Sequence, residues 1–203
     1  MAIANGYATL NQVKAALRIS DATDDSLIEM ATESASRLID AYCGRNFLNA
    51  GTATRYFHAD DPYVVQIDDA RSISAVATST SEDGVYDVNW DVTAHTGDVQ
   101  AEPLNDYVGG IVWPYTRLRA IGDYLFPVDR ETTVKVTAVF GWASTPKVVE
   151  QATVLQAMRL FARLQSPLGV AGVSDTGIMR VSRGLDTDVS QLVEGYRRFR
   201  GVA

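Results

Sequence analysis

Residues 132–166 read TTVKVTAVFGWASTPKVVEQATVLQAMRLFARLQS and change their periodicity halfway along. From Val134 to Phe140, apolar residues alternate with Lys135 and Thr137, a period of two that is typical of a strand. Gly141 ends this strand. Thr145 and Pro146 then predict a helix start, with the threonine as N-cap and the proline at the first helical position.

The helix predicted from Thr145 to Gln165 carries apolar residues almost all round its axis. Only Gln156, Arg159 and Arg163 form a narrow polar line. A helix with this pattern must be covered on several sides, so we expect other elements to pack around it.

The flanking sequence supplies candidates for that cover. An apolar stripe predicts a short helix over residues 11–18 capped by Thr9, and a clearer one predicts a helix from about Asp24 to Cys43 that ends at Gly44. A last helix is predicted over residues 187–199. Five candidate strands lie between Thr52 and Trp113, separated by Asp-, Pro- and Gly-rich turns; they are 54–58, 63–68, 73–78, 85–92 and 111–113.

These elements indicate an α+β fold. The helical core is formed by the N-terminal and C-terminal helices, and a mostly antiparallel β segment is inserted between them. We expect N-terminal helices in residues 1–51, a β-rich insertion in 52–140, and the long helix, a Gly-rich loop and the last helix in 141–203. That loop, Ser166–Gly184, is expected to be mobile or ordered by a partner because it is long and rich in glycine.

Composition excludes several classes of protein. The 203 residues are 46% hydrophobic and 21% charged, which is ordinary for a globular chain. No apolar run is long enough for a membrane span, and the N-terminus lacks signal-peptide features, so a cytosolic protein is expected. A single cysteine, Cys43, excludes an internal disulfide framework. The net charge of −7 argues against wrapping duplex DNA.

The charge is unevenly distributed along the chain. Residues 1–106 are strongly acidic, whereas residues 107–203 carry more basic than acidic side chains. This asymmetry is explained either by ordinary solvated surface or by two faces that meet different neighbours.

No set of residues forms a recognisable catalytic or metal-binding motif. His58, Asp60 and Asp61 could offer metal ligands, but their position between two strands favours a turn. The glycine-rich residues 169–177 follow a helix and contain no lysine, unlike a phosphate-binding loop. We therefore expect no enzymatic activity, no cofactor and no metal.

Two stretches resemble one family when they are taken together. The first comprises YATLNQVKAALRI at residues 7–19, DDSLI at 24–28 and ASRLIDAYCGRNF at 35–47; the second is VTAVFGWASTPKVVEQA at 136–152. In this order they resemble the head-to-tail connector family of tailed phages, also called head completion or adaptor proteins. The long β segment is a departure from the smallest family members.

The resemblance implies a structural virion protein at the head-tail neck. Such a protein forms a ring, commonly dodecameric, between the portal protein and a stopper or tail protein, and it extends the DNA channel after packaging. Duplex DNA would pass without sequence-specific binding, no membrane would be involved, and assembly would occur in the host cytoplasm. Two alternatives are a tail-side adaptor ring protein and a monomeric α+β ligand-binding module.

Two sets of residues are candidates for contacts in such an assembly. The Gly-rich loop and the last helix are predicted to contact the portal or a neighbour. The polar line of the long helix is predicted to face a neighbouring subunit or the channel, because it is the only polar face of a buried helix. The first set comprises Arg180, Arg183, Arg197, Arg198 and Arg200, and the second comprises Gln156, Arg159 and Arg163.

Overall fold

The structure is a computed structural model that describes residues 3–59, 61–79, 84–94, 96–128, 133–164, 170–174, 177–180 and 184–198. The chain divides into two compact units. The helical unit comprises Met1–Phe47 and Thr145–Ala203, and the β unit comprises Leu48–Ser144. The predicted α+β class, with a β segment inserted between terminal helices, is confirmed.

In its described residues, the helical unit contains four α-helices. They are α1 (Leu10–Leu17), α2 (Asp25–Cys43), α3 (Lys147–Leu164) and α4 (Thr187–Val193), which a 3₁₀ turn (Glu194–Tyr196) follows. The last α-helix is therefore shorter than the predicted helix over residues 187–199, and the chain continues from it as a 3₁₀ turn. Thr9 caps α1 as predicted, through a capping box with Gln12. Gly44 closes α2 in the left-handed conformation.

The long helix α3 packs against α1, α2 and α4. It begins at Lys147, directly after Pro146, so the start lies slightly later than the sequence predicts. One apolar cluster joins α1, α2 and α3, with Val13, Ile28 and Ala35 fully buried against Ala157. This cover explains most of the apolar pattern of the helix, whereas Leu164 at its C-terminal end is 52% exposed.

The β unit is built on a six-stranded antiparallel sheet. Its strands are β1 (Asn49–Phe57), β2 (Val64–Thr78), β3 (Val88–Trp90), β4 (Val99–Glu102), β7 (Tyr115–Ala120) and β8 (Val134–Gly141). The order is β1-β8-β2-β7-β4, and β3 pairs with β2. The separate two-stranded ladder β5 (Tyr107–Val108) and β6 (Ile111–Val112) lies between β4 and β7 in the chain.

Two of the strands predicted from sequence are one element. The turn expected at Asp68 and Asp69 is absent, because β2 continues through both residues with register irregularities against its neighbours. Strands β4 and β7 were missed by the sequence prediction, although VQAE in β4 and RLRA in β7 alternate over four residues each. Their pairing from Val99↔Ala120 to Glu102↔Arg117 depends on the sheet beside them.

Within the described part of the predicted Gly-rich loop, two strands pair as a hairpin. Strand β9 (Val170–Ser174) pairs antiparallel with β10 (Gly177–Arg180). The sequence analysis expected a mobile or partner-ordered loop here and did not predict these two strands. The remaining residues of that stretch lie outside the described residues, except Gly184.

Candidate functional site: the C-terminal helix on its helical base

The polar line of α3 is covered within the chain by the segment that opens α4. The side chain of Gln156 is fully buried, and its Oε1 accepts a hydrogen bond from the backbone N–H of Asp186 at 3.2 Å. Arg163 Nη2 donates to both carboxylate oxygens of Asp186 at 3.2 Å. Arg159 makes a two-pronged ion pair with Asp188. These contacts hold the start of α4 against α3.

The sequence analysis assigned the polar line to a neighbouring subunit or the channel because it is the only polar face of a buried helix. In the structure, Gln156, Arg159 and Arg163 each contact Asp186 or Asp188 of the same chain. Gln156 has no exposed surface with which to reach another subunit. An additional contact of Arg159 or Arg163 with a neighbouring copy stays a prediction.

The electrostatics of this contact follow from its bidentate geometry. The Arg159 guanidinium lowers the pKa of the Asp188 carboxyl from 3.8 to about 2, and Asp188 in turn raises the pKa of Arg159. Bidentate arginine–carboxylate pairs are the stronger class of charged hydrogen bond. The pair therefore keeps its charges over the whole neutral and weakly acidic range.

We expect Asp188→Asn to destabilise the docking of α4 in a pH-dependent manner. Because the folded pKa is depressed, the charged contribution is complete above the ordinary pKa near 3.8 and disappears as the pH falls toward about 2. Urea unfolding at pH 7, 3 and 2 measures the difference between wild type and variant. The difference should shrink with acidification, and a difference that stays constant down to pH 2 would show that the carboxylate charge has no part in docking.

The C-terminal end of α2 contacts the chain that follows α4. The hydroxyl of Tyr42 donates a hydrogen bond to the Glu194 carboxylate, and Arg197 pairs with Glu194 at 3.3 Å. The Arg197 guanidinium also lies 5.2 Å from the centre of the Tyr42 ring. The Arg198 backbone N–H donates to the carbonyl of Cys43 at 2.8 Å. The chain after α4 is thus fixed to α2 by backbone and side-chain contacts.

An aromatic cluster lies under these contacts. Phe47 is fully buried between Tyr7 and Tyr196, with ring centres 5.6 Å and 5.7 Å away and edge-to-face angles. The Tyr7 hydroxyl donates to Asp40 and accepts the backbone N–H of Phe47 at 2.9 Å. Burial is the main cause that raises the pKa of Tyr7 and also that of Asp40. The quoted residues 7–19 and 35–47 therefore meet in space.

The five arginines predicted for the portal or neighbour contact are described to different extents. Arg180 ends β10, and Arg197 and Arg198 follow the 3₁₀ turn beside α2. Arg183 and Arg200 lie outside the described residues. Arg197 is exposed and Arg198 is half-buried, so the side chain of Arg197 remains accessible to a partner in spite of its pairing with Glu194.

Asp186, Asp188 and Glu194 are the site residues that sequence reasoning missed. The sequence signal for these residues was the acidic side chains at the start and the end of the last helix. Asp186 and Asp188 lie opposite the arginines of α3. Sequence spacing alone does not bring these groups together. The contacts of Asp186 and Asp188 with α3 join residues 23–30 positions apart, and Tyr42 and Glu194 are 152 positions apart.

Two other candidate residues, Asp61 and Cys43, lie in a turn and in the buried core, respectively. Asp61 Oδ1 accepts the backbone N–H of Tyr63 at 2.7 Å, which is the geometry of an Asx turn, and Asp60 lies outside the described residues. Burial raises the pKa of the Cys43 thiol to about 12. Across the described ranges, no group of three or more His, Cys, Asp or Glu side chains could hold a metal. None of the helices described there has the length and apolarity of a membrane span.

The sequence matches one family model, and the fold matches several solved structures. Residues 7–82 match the family described as phage gp6-like head-tail connector protein. A search of curated proteins finds no match. A chain from the neck of an empty GTA particle, computed with C6 symmetry, shares 15% identity at a TM-score of 0.57, covering 98% of this chain and 94% of that one.

Two further structures give the same result. A chain from the virion of a native gene transfer agent (GTA) particle is 18% identical at a TM-score of 0.54, with 98% and 94% coverage. A chain from the neck of a native GTA particle, computed with C12 symmetry, is 17% identical at a TM-score of 0.54, with 98% and 93% coverage. The resemblance seen in the sequence is therefore confirmed: residues 7–82 of this chain are similar to the phage gp6-like head-tail connector proteins.

Proposed function

We propose that this chain is a structural protein of a virion neck, where copies form a ring between the portal and a stopper or tail protein. One observation carries the proposal. The fold matches a neck protein over 98% of this chain and 94% of the other, while the N-terminal third independently matches the connector family. Family and fold thus point to the same structural role, and neither points to an enzyme.

The ring would continue the DNA channel after packaging. A homo-oligomeric ring, dodecameric in the simplest case, is supported by the twelvefold symmetry with which one matching neck was computed. The net charge of −7 suits a surface along which duplex DNA slides without specific binding, since acidic groups repel phosphates. Assembly in the host cytoplasm and residence in the virion neck belong to the same proposal.

Binding to purified particles tests this function directly. The chain is mixed with DNA-filled, tailless heads from the same source, the heads are pelleted, and bound copies are counted by quantitative mass spectrometry. Saturable binding at a ring-like copy number supports the proposal. Binding to isolated tails, with no binding to heads, would overturn it in favour of a tail-side adaptor.

The arginine-rich end is proposed as the portal contact. We expect Arg197→Gln with Arg198→Gln to weaken attachment to heads about tenfold, because buried interface arginines often dominate binding. Stability should change by no more than about 1 kcal/mol, since an exposed ion pair and an exposed cation–π contact are each weak.

Lys147→Gln is the matched control for this pair of substitutions. Lys147 also forms an exposed i,i+3 ion pair, with Glu150, but it lies at the start of α3, far in sequence from Arg197 and Arg198. The control should bind heads like wild type. Equal binding of the control and the double variant at equal stability would remove the assigned role of Arg197 and Arg198.

A further inference from the structure

An apolar arm extends the hairpin of β4 and β7 beyond the six-stranded sheet. Residues 103–114 leave the sheet after the Glu102↔Arg117 pair and contain the β5–β6 ladder. Gly109 and Gly110 both have positive φ, 63° and 81°, as a two-residue type I′ turn requires. Six extended residues from Pro103 to Val108 reach at most about 20 Å.

The tip of the arm is apolar and exposed. Tyr107 is 68% exposed, Val108 60% and Val112 46%. The base of the arm is held in place, because the Trp113 ring lies 5.3 Å from Trp142 and the Trp113 backbone N–H donates to the carbonyl of Asp106 at 2.7 Å. A fixed element that presents several apolar side chains to solvent is typical of a docking element.

The same unit contains a recess lined by both apolar and polar side chains. It has a volume of about 300 Å³ and lies between β2, β4 and the base of the arm, lined by Ile73, Val92, Val99 and Leu104 among others. This volume is at the lower end of the range for ligand sites, about 300–1,000 Å³, and suits one or two inserted side chains. Arg71 is exposed at its rim and makes no ion pair within the part of the chain that the structure describes.

The charges of the arm and the recess are complementary. Asp106 precedes the apolar tip, and among the described residues its carboxylate makes no ion pair. Arg71 lies at the recess. An arm that inserts Tyr107 and Val108 against the apolar part of the recess would bring its acidic group toward that arginine. Because both surfaces belong to one chain, a second copy can supply the partner of each.

We propose that the arm of one copy, residues 103–114, docks into the recess of a second copy, with Tyr107 and Val108 in the recess and Asp106 facing Arg71. This inference rests on the proposed ring. A contact between two different surfaces of the same chain is head-to-tail, and it forms a ring when the rotation between successive copies closes. The arm thus gives each subunit one donor and one acceptor surface.

Disulfide trapping tests the contact between copies. Chains carrying Ser72→Cys are mixed with chains carrying Val108→Cys and oxidised, both in concentrated solution and after assembly on tailless heads. We expect cross-linked dimers only in the mixture, and a ladder of higher oligomers from the double variant. Native Cys43 is buried and does not compete.

Substitutions at the contact give an independent measure. Tyr107→Ser with Val108→Ser should weaken association of copies about tenfold or more by native mass spectrometry, as loss of an aromatic anchor does. Tyr63→Ser, which alters another half-exposed tyrosine of the β unit, should leave association unchanged. Asp106→Arg and Arg71→Asp should each weaken it about threefold, and their combination should restore it.

The outcomes separate this inference from the proposed function. Ring-like binding to heads without a cross-link between copies, or a cross-link from the arm to a different virion protein, overturns the arm contact and leaves the function intact. A cross-linked ladder in solution without binding to heads supports the contact and overturns the function. Absence of a cross-link in both settings overturns the contact.

Discussion

Phe47→Ala is expected to destabilise the helical unit by about 3–5 kcal/mol, the usual cost of removing a buried phenylalanine. Phe47 has no exposed surface and packs edge-to-face against Tyr7 and Tyr196. The substitution would leave a cavity between the N-terminal segment and the turn after α4. Urea unfolding followed by the far-ultraviolet circular dichroism of the helices measures the change.

Phe47→Leu is the matched control for this cavity. It keeps most of the apolar volume and should cost less than about half as much. Hydrogen exchange should also show loosening at the turn Glu194–Tyr196, because Tyr196 loses its packing partner. A loss below 1 kcal/mol for the alanine variant would mean that the cluster collapses without cost, and that it does not hold the C-terminal segment.

Gly141→Ala is expected to destabilise the β unit by about 3 kcal/mol or more. Gly141 has a φ of +91°, where a Cβ adds strain of about 1–2 kcal/mol. An added Cβ would also lie 2.0 Å from the carbonyl oxygen of Leu48, so the backbone of the neighbouring strand would have to move. Urea unfolding with the fluorescence of buried Trp142 as the signal is the measurement.

Gly51→Ala separates the two causes. Gly51 has a φ of +73° on β1 but has open space around it, so it should show only the strain of the left-handed conformation. The difference between the two variants measures the collision with Leu48. Equal effects would indicate that β1 and β8 separate easily and that the close approach at Gly141 contributes nothing.

Most helices of this protein were predictable because their signals are local. The capping box at Thr9, the left-handed glycine after α2 and the period of the apolar residues all involve neighbours in sequence. The alternation in β8 was equally clear, since successive side chains of a strand point to opposite faces and only one face of β8 is fully buried. The family resemblance rested on the same local signals, and the match over residues 7–82 confirms it.

The candidate site was predictable only in part. The sequence indicated Arg159 and Arg163 as an unusual polar line, but their ion pairs with Asp188 and Asp186 join residues far apart in the chain. The Tyr7 hydroxyl bonds both Asp40 and the backbone of Phe47, which links residues 7–19 to residues 35–47. Such pairings depend on how α2, α3 and α4 pack, which no local pattern specifies.

By itself, the sequence determined the α+β class, the positions of the four described helices, the central strand β8 and the similarity of residues 7–82 to connector proteins. Local hydrogen bonding and periodicity are sufficient for these features. The tertiary structure alone decided the joining of two predicted strands into β2, the pairing of β4 with β7, and the exposure of the arm at Tyr107 and Val108. These features depend on contacts between distant segments, where the free energy of packing outweighs local preference.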